Sequence, residues 1–173
     1  MISRLFSIAM AATLAAIPAS ATNPSEVLDA GHLSIVRAAS DAGVSFKVNA
    51  DLCRQFPKFY GMYDGKQIII CLRQGHWTTE ELDTLRHEAQ HLVQDCLGDG
   101  KPNFRFNGRY LVFPNIAELA PQILSERLLG NIVMNYHDAS RQEFLMELEA
   151  FMVAQEVAPE EIASAINNHC RAR

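Results

Sequence analysis

Apolar and polar positions alternate along this chain with two distinct periods. Val27, Leu28, His32, Ile35, Val36 and Ala39 recur near helical spacing. Asn23-Pro24-Ser25 reads as the start of that helix and Gly43 as its stop. Val44 to Val48 alternates like a short strand, and residues 49–60, with Cys53 and Pro57, read as irregular. Tyr63-Asp64-Gly65-Lys66 is a hairpin turn signal. The β-branched run Gln67 to Leu72 after it reads as a buried strand, and Gly75 and His76 close the unit. Thr78-Thr79-Glu80-Glu81 is a capping box that opens a helix with Leu82, Leu85, Ala89, Leu92, Val93 and Cys96 on one apolar stripe. Gly98 and Gly100 are its predicted stops. Residues 101–114 read as a loop with a short strand around Tyr110 to Phe113, and 115–137 as mostly helical, with Pro121 at a helix start or kink. Ser140-Arg141-Gln142-Glu143 is a second capping box, launching a helix through about Val157. Pro159 opens a last helix that ends near Cys170. The expected fold is α+β and mostly helical, with a small early sheet or hairpin packed on the helix that follows Thr78.

Composition narrows the function classes. The 173 residues are 49% hydrophobic and 20% charged, which is ordinary for one globular domain. The formal charge is −5 with no Lys/Arg-rich run, so no nucleic-acid partner is expected. The body of the chain holds no apolar stretch of about 20 residues, so no integral membrane segment is expected there. The N-terminal stretch has Arg4, an apolar run from Leu5 to Ile17, and Ala19-Ser20-Ala21, the three-part order of a signal peptide. Residues 1–21 are therefore expected to be removed, leaving one domain over 22–173 in a secreted or periplasmic protein. Export changes the reading of the four cysteines, none of which forms a CxxC pair. An even count favours two disulfides. Of the three connectivities, Cys53–Cys71 with Cys96–Cys170 is preferred: the first ties a loop to the next strand, and the second pins the C-terminal helix to the central one.

The candidate chemistry sits on that central helix. His87-Glu88-Ala89-Gln90-His91 is an HExxH sequence. Residues four apart share one helical face, so both imidazoles can meet one Zn²⁺ at about 2.0–2.1 Å. Glu88 is offset around the helix, where it can reach a zinc-activated water as general base without ligating the metal.

The stretch Leu85 to Cys96 resembles the active-site helix of the zincin metallopeptidases. A hairpin, the motif helix and later helices carrying a glutamate are similar to the small gluzincins. That resemblance implies a zincin-like domain that hydrolyses peptide bonds with a single zinc ion. The metzincin pattern is not met, because Gln94 and Leu97 stand where it has Gly and His. A third histidine ligand would have to come from His32, His76, His137 or His169. The gluzincin likeness instead implies a glutamate on the helix after Ser140, with Glu143, Glu147 and Glu149 as candidates. Glu149 shares a stripe with Gln142 and Glu156 that reads as solvated. Glu147 shares an apolar face with Ala150, Phe151 and Ala154, where a carboxylate needs a partner such as zinc. Glu147-Leu148-Glu149-Ala150 is also similar to the glutamate-x-glutamate-alanine segment of the gluzincin third-ligand helix. Glu147 is thus preferred over Glu149. In those families an Asp or Asn four places after the ligand supports a motif histidine; here that place is Phe151, and the support is unassigned. Tyr136 is the first candidate to stabilise an oxyanion, with His137, Tyr110 and His76 as others. The strand Gln67 to Leu72 is either a core strand or an edge that pairs with extended substrate.

The expected function is an exported zinc metallopeptidase acting on peptides or proteins, with His87, His91 and Glu147 as ligands and Glu88 as base. The alternatives are a non-catalytic zinc-binding or interaction protein that keeps the fold, and a disulfide-stabilised structural domain without metal.

Overall fold

The structure is a computed structural model and describes residues 28–99 and 111–170. The expected signal segment, the helix start at Asn23 to Ser25, Gly100 and Tyr110 lie outside these residues. Among the described residues there are seven helices and one three-stranded sheet, which is the mostly helical α+β fold expected.

Helix α1 (Ala30–Asp41) starts at an Asp29 cap, whose carboxylate accepts from the His32 N–H at 2.9 Å. Strand β1 (Ser45–Val48) follows Gly43, at φ 82°, and Val44, which is buried. A short helix, α2 (Asp51–Gln55), occupies part of the stretch expected to be irregular. Strands β2 (Gly61–Tyr63) and β3 (Gln67–Ile70) form the predicted hairpin. Asp64 locks its turn by accepting from the N–H groups of Lys66 and Gln67, both at 2.9 Å.

The strand order is β1-β3-β2, with β1 parallel and β2 antiparallel to β3. This corrects the substrate-edge expectation for Gln67 to Leu72. Strand β3 is central, its backbone pairs on both sides, and Ile68, Ile69 and Ile70 are all buried. The parallel partner comes from a distant part of the chain, so no local pattern announces it.

Helix α3 (Thr79–Asp99) is the centre of the molecule. The sheet, α1, α6 and α7 all pack on it. The glutamate half of its capping box is present: the buried Glu81 carboxylate accepts from the Thr78 N–H at 3.1 Å and from the Thr78 hydroxyl. Gly98 does not end α3, which runs through it to Asp99. Gly61 lets β2 approach this helix: a Cβ there would meet Thr84 Cγ2 at 2.8 Å and the Ile69 carbonyl at 2.7 Å. The Tyr63 hydroxyl makes a second tie, donating to the buried Asp95 carboxylate at 2.7 Å.

Residues 111–113 form no strand. Helices α4 (Ile116–Ile123) and α5 (Glu126–Asn135) divide the expected helical stretch. Pro121 lies inside α4, and the break falls at Leu124, before the Ser125 cap of α5. Helix α6 (Arg141–Glu156) carries the full capping box of Ser140 and Glu143, and α7 (Pro159–His169) begins on its proline.

Both preferred disulfides are formed. Cys53–Cys71 joins α2 to the end of β3, and Cys96–Cys170 joins α3 to the end of α7. In the loop-entropy account, closing the longer loop stabilises the fold by about 4 kcal/mol and the shorter by about 3. Replacing Cys96 and Cys170 together by Ser is therefore expected to lower unfolding free energy by about 4 kcal/mol, more than replacing Cys53 and Cys71. Denaturant titration of the two double variants checks the order.

Burial of Glu81 works to raise its pKa. The bonds from Thr78 and the Arg73 N–H outweigh it and hold the carboxyl below its ordinary 4.5. Because the folded value is depressed, this stabilisation is present above pH 4.5 and is lost as pH falls through the folded value. Glu81→Gln is expected to be less stable than the parent at pH 7 and to converge with it below the depressed value. Thermal melts of both across pH 2 to 7 (roughly, the range over which carboxylates titrate) provide the check.

Candidate metal centre

The middle of α3 sets His87 and His91 one helical turn apart, with their rings edge to face at 4.7 Å between centroids. Both are buried, as is Glu88 between them in sequence. Helix α6 crosses this face and delivers Glu147. His87 Nε2 lies 3.1 Å from His91 Nε2. Glu147 turns one oxygen to each ring, at 3.3 Å from His87 Nε2 and 3.4 Å from His91 Nε2. Ligand atoms around a tetrahedral zinc at 2.0–2.1 Å stand about 3.3–3.4 Å apart. The three side chains thus have the spacing, the donor types and the burial of a metal site, and they are the one such group among the described residues.

The tautomer of His91 is set by its neighbour. Gln94, fully buried, gives its Nε2 donors to the Met146 carbonyl at 3.0 Å and to Glu149 Oε1 at 2.9 Å. Its Oε1 therefore faces His91 Nδ1, at 2.9 Å, and that nitrogen must donate. Neutral His91 is left with its Nε2 lone pair aimed into the cluster, as a metal ligand requires. His87 is held otherwise. Phe151 packs on its ring, with centroids 4.4 Å apart, and His87 Nδ1 is buried without a hydrogen-bond partner. The place that the resemblance gives to a supporting Asp or Asn is filled by an aromatic contact instead.

Glu149 overturns its expected solvated position. It is 0% exposed and accepts from Gln90 Nε2 at 2.7 Å, from Gln94, and from the Phe113 N–H at 2.8 Å. Gln142 and Glu156 are exposed near the ends of the same stripe. The middle of the stripe is covered by α3 and by the segment leading into α4. Glu149 holds the glutamines, and Glu147 alone joins the histidines.

The electrostatics favour a cation at this point. Burial works to raise the Glu147 carboxyl, and the attraction of His87 and His91 outweighs it, leaving the group well below the usual carboxylate range. Burial works to lower His91, and Glu147, Glu88 and the Gln94 bond outweigh it, raising its pKa. Burial, followed by the Glu147 and Glu88 carboxylates, pushes the Tyr136 phenol up. Tyr136 sits at the C-cap of α5, with its ring 6.5 Å from Phe151. The other histidines stand apart: His32 pairs with Asp29, His76 with the Gln74 carbonyl, His137 with Met134 and Asp138, and His169 is exposed on α7.

A cleft of ≈ 390 Å³ reaches the cluster at His87, between Tyr60, Asp83, Leu128, Asn131 and Phe151. Gln94, Gln90 and the Phe113 N–H are the structural contributors that sequence reasoning missed. The available signal was Gln94 itself, a polar residue one turn beyond His91 and next to the buried stripe.

No family model, no curated protein and no solved structure matches this chain.

Removing the acceptor from His91 frees its tautomer and ring. Gln94→Leu is expected to weaken divalent-metal affinity roughly 10- to 100-fold while the disulfide-linked fold persists. Competition with a chromogenic chelator measures the first, and circular dichroism the second. Unchanged affinity would show that Gln94 does not orient His91.

Proposed function

We propose that this chain is an exported zinc-dependent metallopeptidase in which His87, His91 and Glu147 hold one zinc ion and Glu88 is the general base. The observation that carries this reading is the His87–His91–Glu147 cluster, with its ligand atoms spaced 3.1–3.4 Å apart. Bound there, zinc supplies Lewis acidity that lowers the pKa of a water to about 7. Glu88 is buried beside the ligands, and its charge is felt at both His91 and Tyr136. It takes a proton from the attacking water and delivers it to the leaving amine. Tyr136, with its phenol pushed up, stays protonated and donates to the carbonyl oxygen as negative charge develops there. Substrate enters by the cleft at His87. The zincin resemblance of Leu85 to Cys96 supports peptide-bond hydrolysis. The two disulfides fit an oxidising compartment. Among the described residues no helix is long and apolar enough to cross a membrane.

One observation favours a second reading. His87 Nδ1 has no acceptor, so one ligand lacks the hydrogen bond that usually supports it. A zinc-binding protein without turnover would tolerate that. Elemental analysis of the purified protein is expected to find about one zinc per chain. Glu88→Gln is expected to keep that zinc and to lose roughly 100- to 10,000-fold in the rate of peptide hydrolysis. Cleavage of a mixed peptide library by the variant at the parent rate would reject Glu88 as base. Zinc with no cleavage by the parent would favour the second reading.

A further inference from the structure

A larger groove, of ≈ 760 Å³, adjoins the cleft at His87 and shares Tyr60 and Glu80 with it as a common wall. Its lining is rich in hydrogen-bond donors. Arg73 and Arg54 contribute guanidinium groups, and Gln74 an amide. Asn49 accepts from the Leu72 N–H through Oδ1 at 2.8 Å, so its remaining amide group, Nδ2, is a donor. Glu80, on the shared wall, is the one carboxylate in the lining.

Arg73 is held ready. Three consecutive N–H groups pin its segment: Cys71 to the Tyr60 carbonyl at 2.7 Å, Leu72 to Asn49, and Arg73 to Glu81 at 3.3 Å. The Cys53–Cys71 disulfide fixes the adjoining wall. Asn49 has φ 52°, the one left-handed non-glycine among the described residues, a conformation that asparagine tolerates better than most residues. The Arg73 guanidinium lies over the Tyr60 ring, 4.5 Å from its centroid, which leaves its edge donors to point elsewhere. No carboxylate among the described residues pairs with it, whereas Arg54 is paired with Asp51. A guanidinium stacked on Tyr60 and without a carboxylate partner among the described residues, in a donor-lined groove, suits a carboxylate-bearing ligand.

We infer that this groove is a carboxylate-recognition subsite, with Arg73 as its anchor, which selects peptides carrying an acidic group to one side of the cleft at His87. The substrate identity rests on the peptidase reading, but the binding preference does not. The carboxylate is an acidic side chain or a peptide C-terminus, and the two sources are separable.

The test uses zinc-loaded protein and a set of otherwise uncharged octapeptides, amidated and acetylated at their ends. One Glu is moved through each position, against Gln twins, and a third set keeps Gln with a free C-terminus. Calorimetry measures binding and mass spectrometry measures cleavage. At one or more positions the Glu peptide, or the free-C-terminus peptide, is expected to bind roughly tenfold or more tightly than its uncharged twin. Arg73→Gln is expected to abolish that difference, and Arg73→Glu to reverse it, so that the Glu peptide binds more weakly than its Gln twin. Arg73 is exposed, and matching melting curves confirm that the variants fold. Which series shows the preference identifies the carboxylate source. Equal binding of all three series, or a preference that survives Arg73→Gln, overturns the subsite. Cleavage without preference overturns the subsite alone, and preference without cleavage overturns the peptidase reading alone.

Discussion

Everything in this molecule is arranged around the burial of the polar face of α3. From His87 to Cys96 every residue of the helix is buried, including His87, Glu88, Gln90, His91, Gln94 and Asp95. A surface helix would leave that face to water. Here each polar group must find a partner inside the protein, because an unpaired one costs roughly 1–3 kcal/mol, and more if charged. Strand β2 supplies Tyr63 to Asp95, and α6 supplies Glu149 to both glutamines. Glu147, also from α6, faces the two imidazoles.

That constraint explains why two glutamates two residues apart on α6 have different surroundings. Glu149 meets amide and peptide donors, a neutral cradle that a carboxylate accepts from and nothing displaces. Glu147 meets two imidazoles whose nitrogens crowd one point. Its Oε2 and His87 Nδ1 are buried without hydrogen bonds. Of these two atoms only Glu147 Oε2 faces the cluster, 3.3 Å from His87 Nε2, where an ion would give it a partner. The network also makes the cluster rigid: Gln94 cannot rotate without losing Met146 and Glu149, so His91 cannot turn away.

Much of this was legible in the chain because it is local. The caps at Ser140 and Pro159, the turn at Asp64 and the i, i+4 histidines depend on residues a few places apart, which read directly as helix starts, a hairpin and a shared face. The pairing of the cysteines could be preferred because the elements they join were already in view. What escaped reading is tertiary. Glu149 lies on a stripe whose ends are solvated, and only the Phe113 N–H, 36 residues away in sequence, and two glutamines of another helix explain its burial. Strand β3 reads the same as an edge or a centre until β1 is known to lie beside it. The short α2 has no amphipathic repeat long enough to show. Periodicity tells which residues share a face; it does not tell what covers that face.

The Cys96–Cys170 bond has a consequence for how such a site would assemble. One cysteine lies five residues after His91 on α3, and the ring the bond closes contains all of α6. The two histidines are outside that ring and Glu147 is within it. Oxidation therefore turns the meeting of Glu147 with the histidine pair from a search by a long open chain into one by a tethered loop, raising the carboxylate's effective concentration before any ion arrives. An ion held by the cluster would therefore bind more readily to the oxidised chain, in which a shorter path joins the carboxylate to the histidine pair, than to a chain kept reduced.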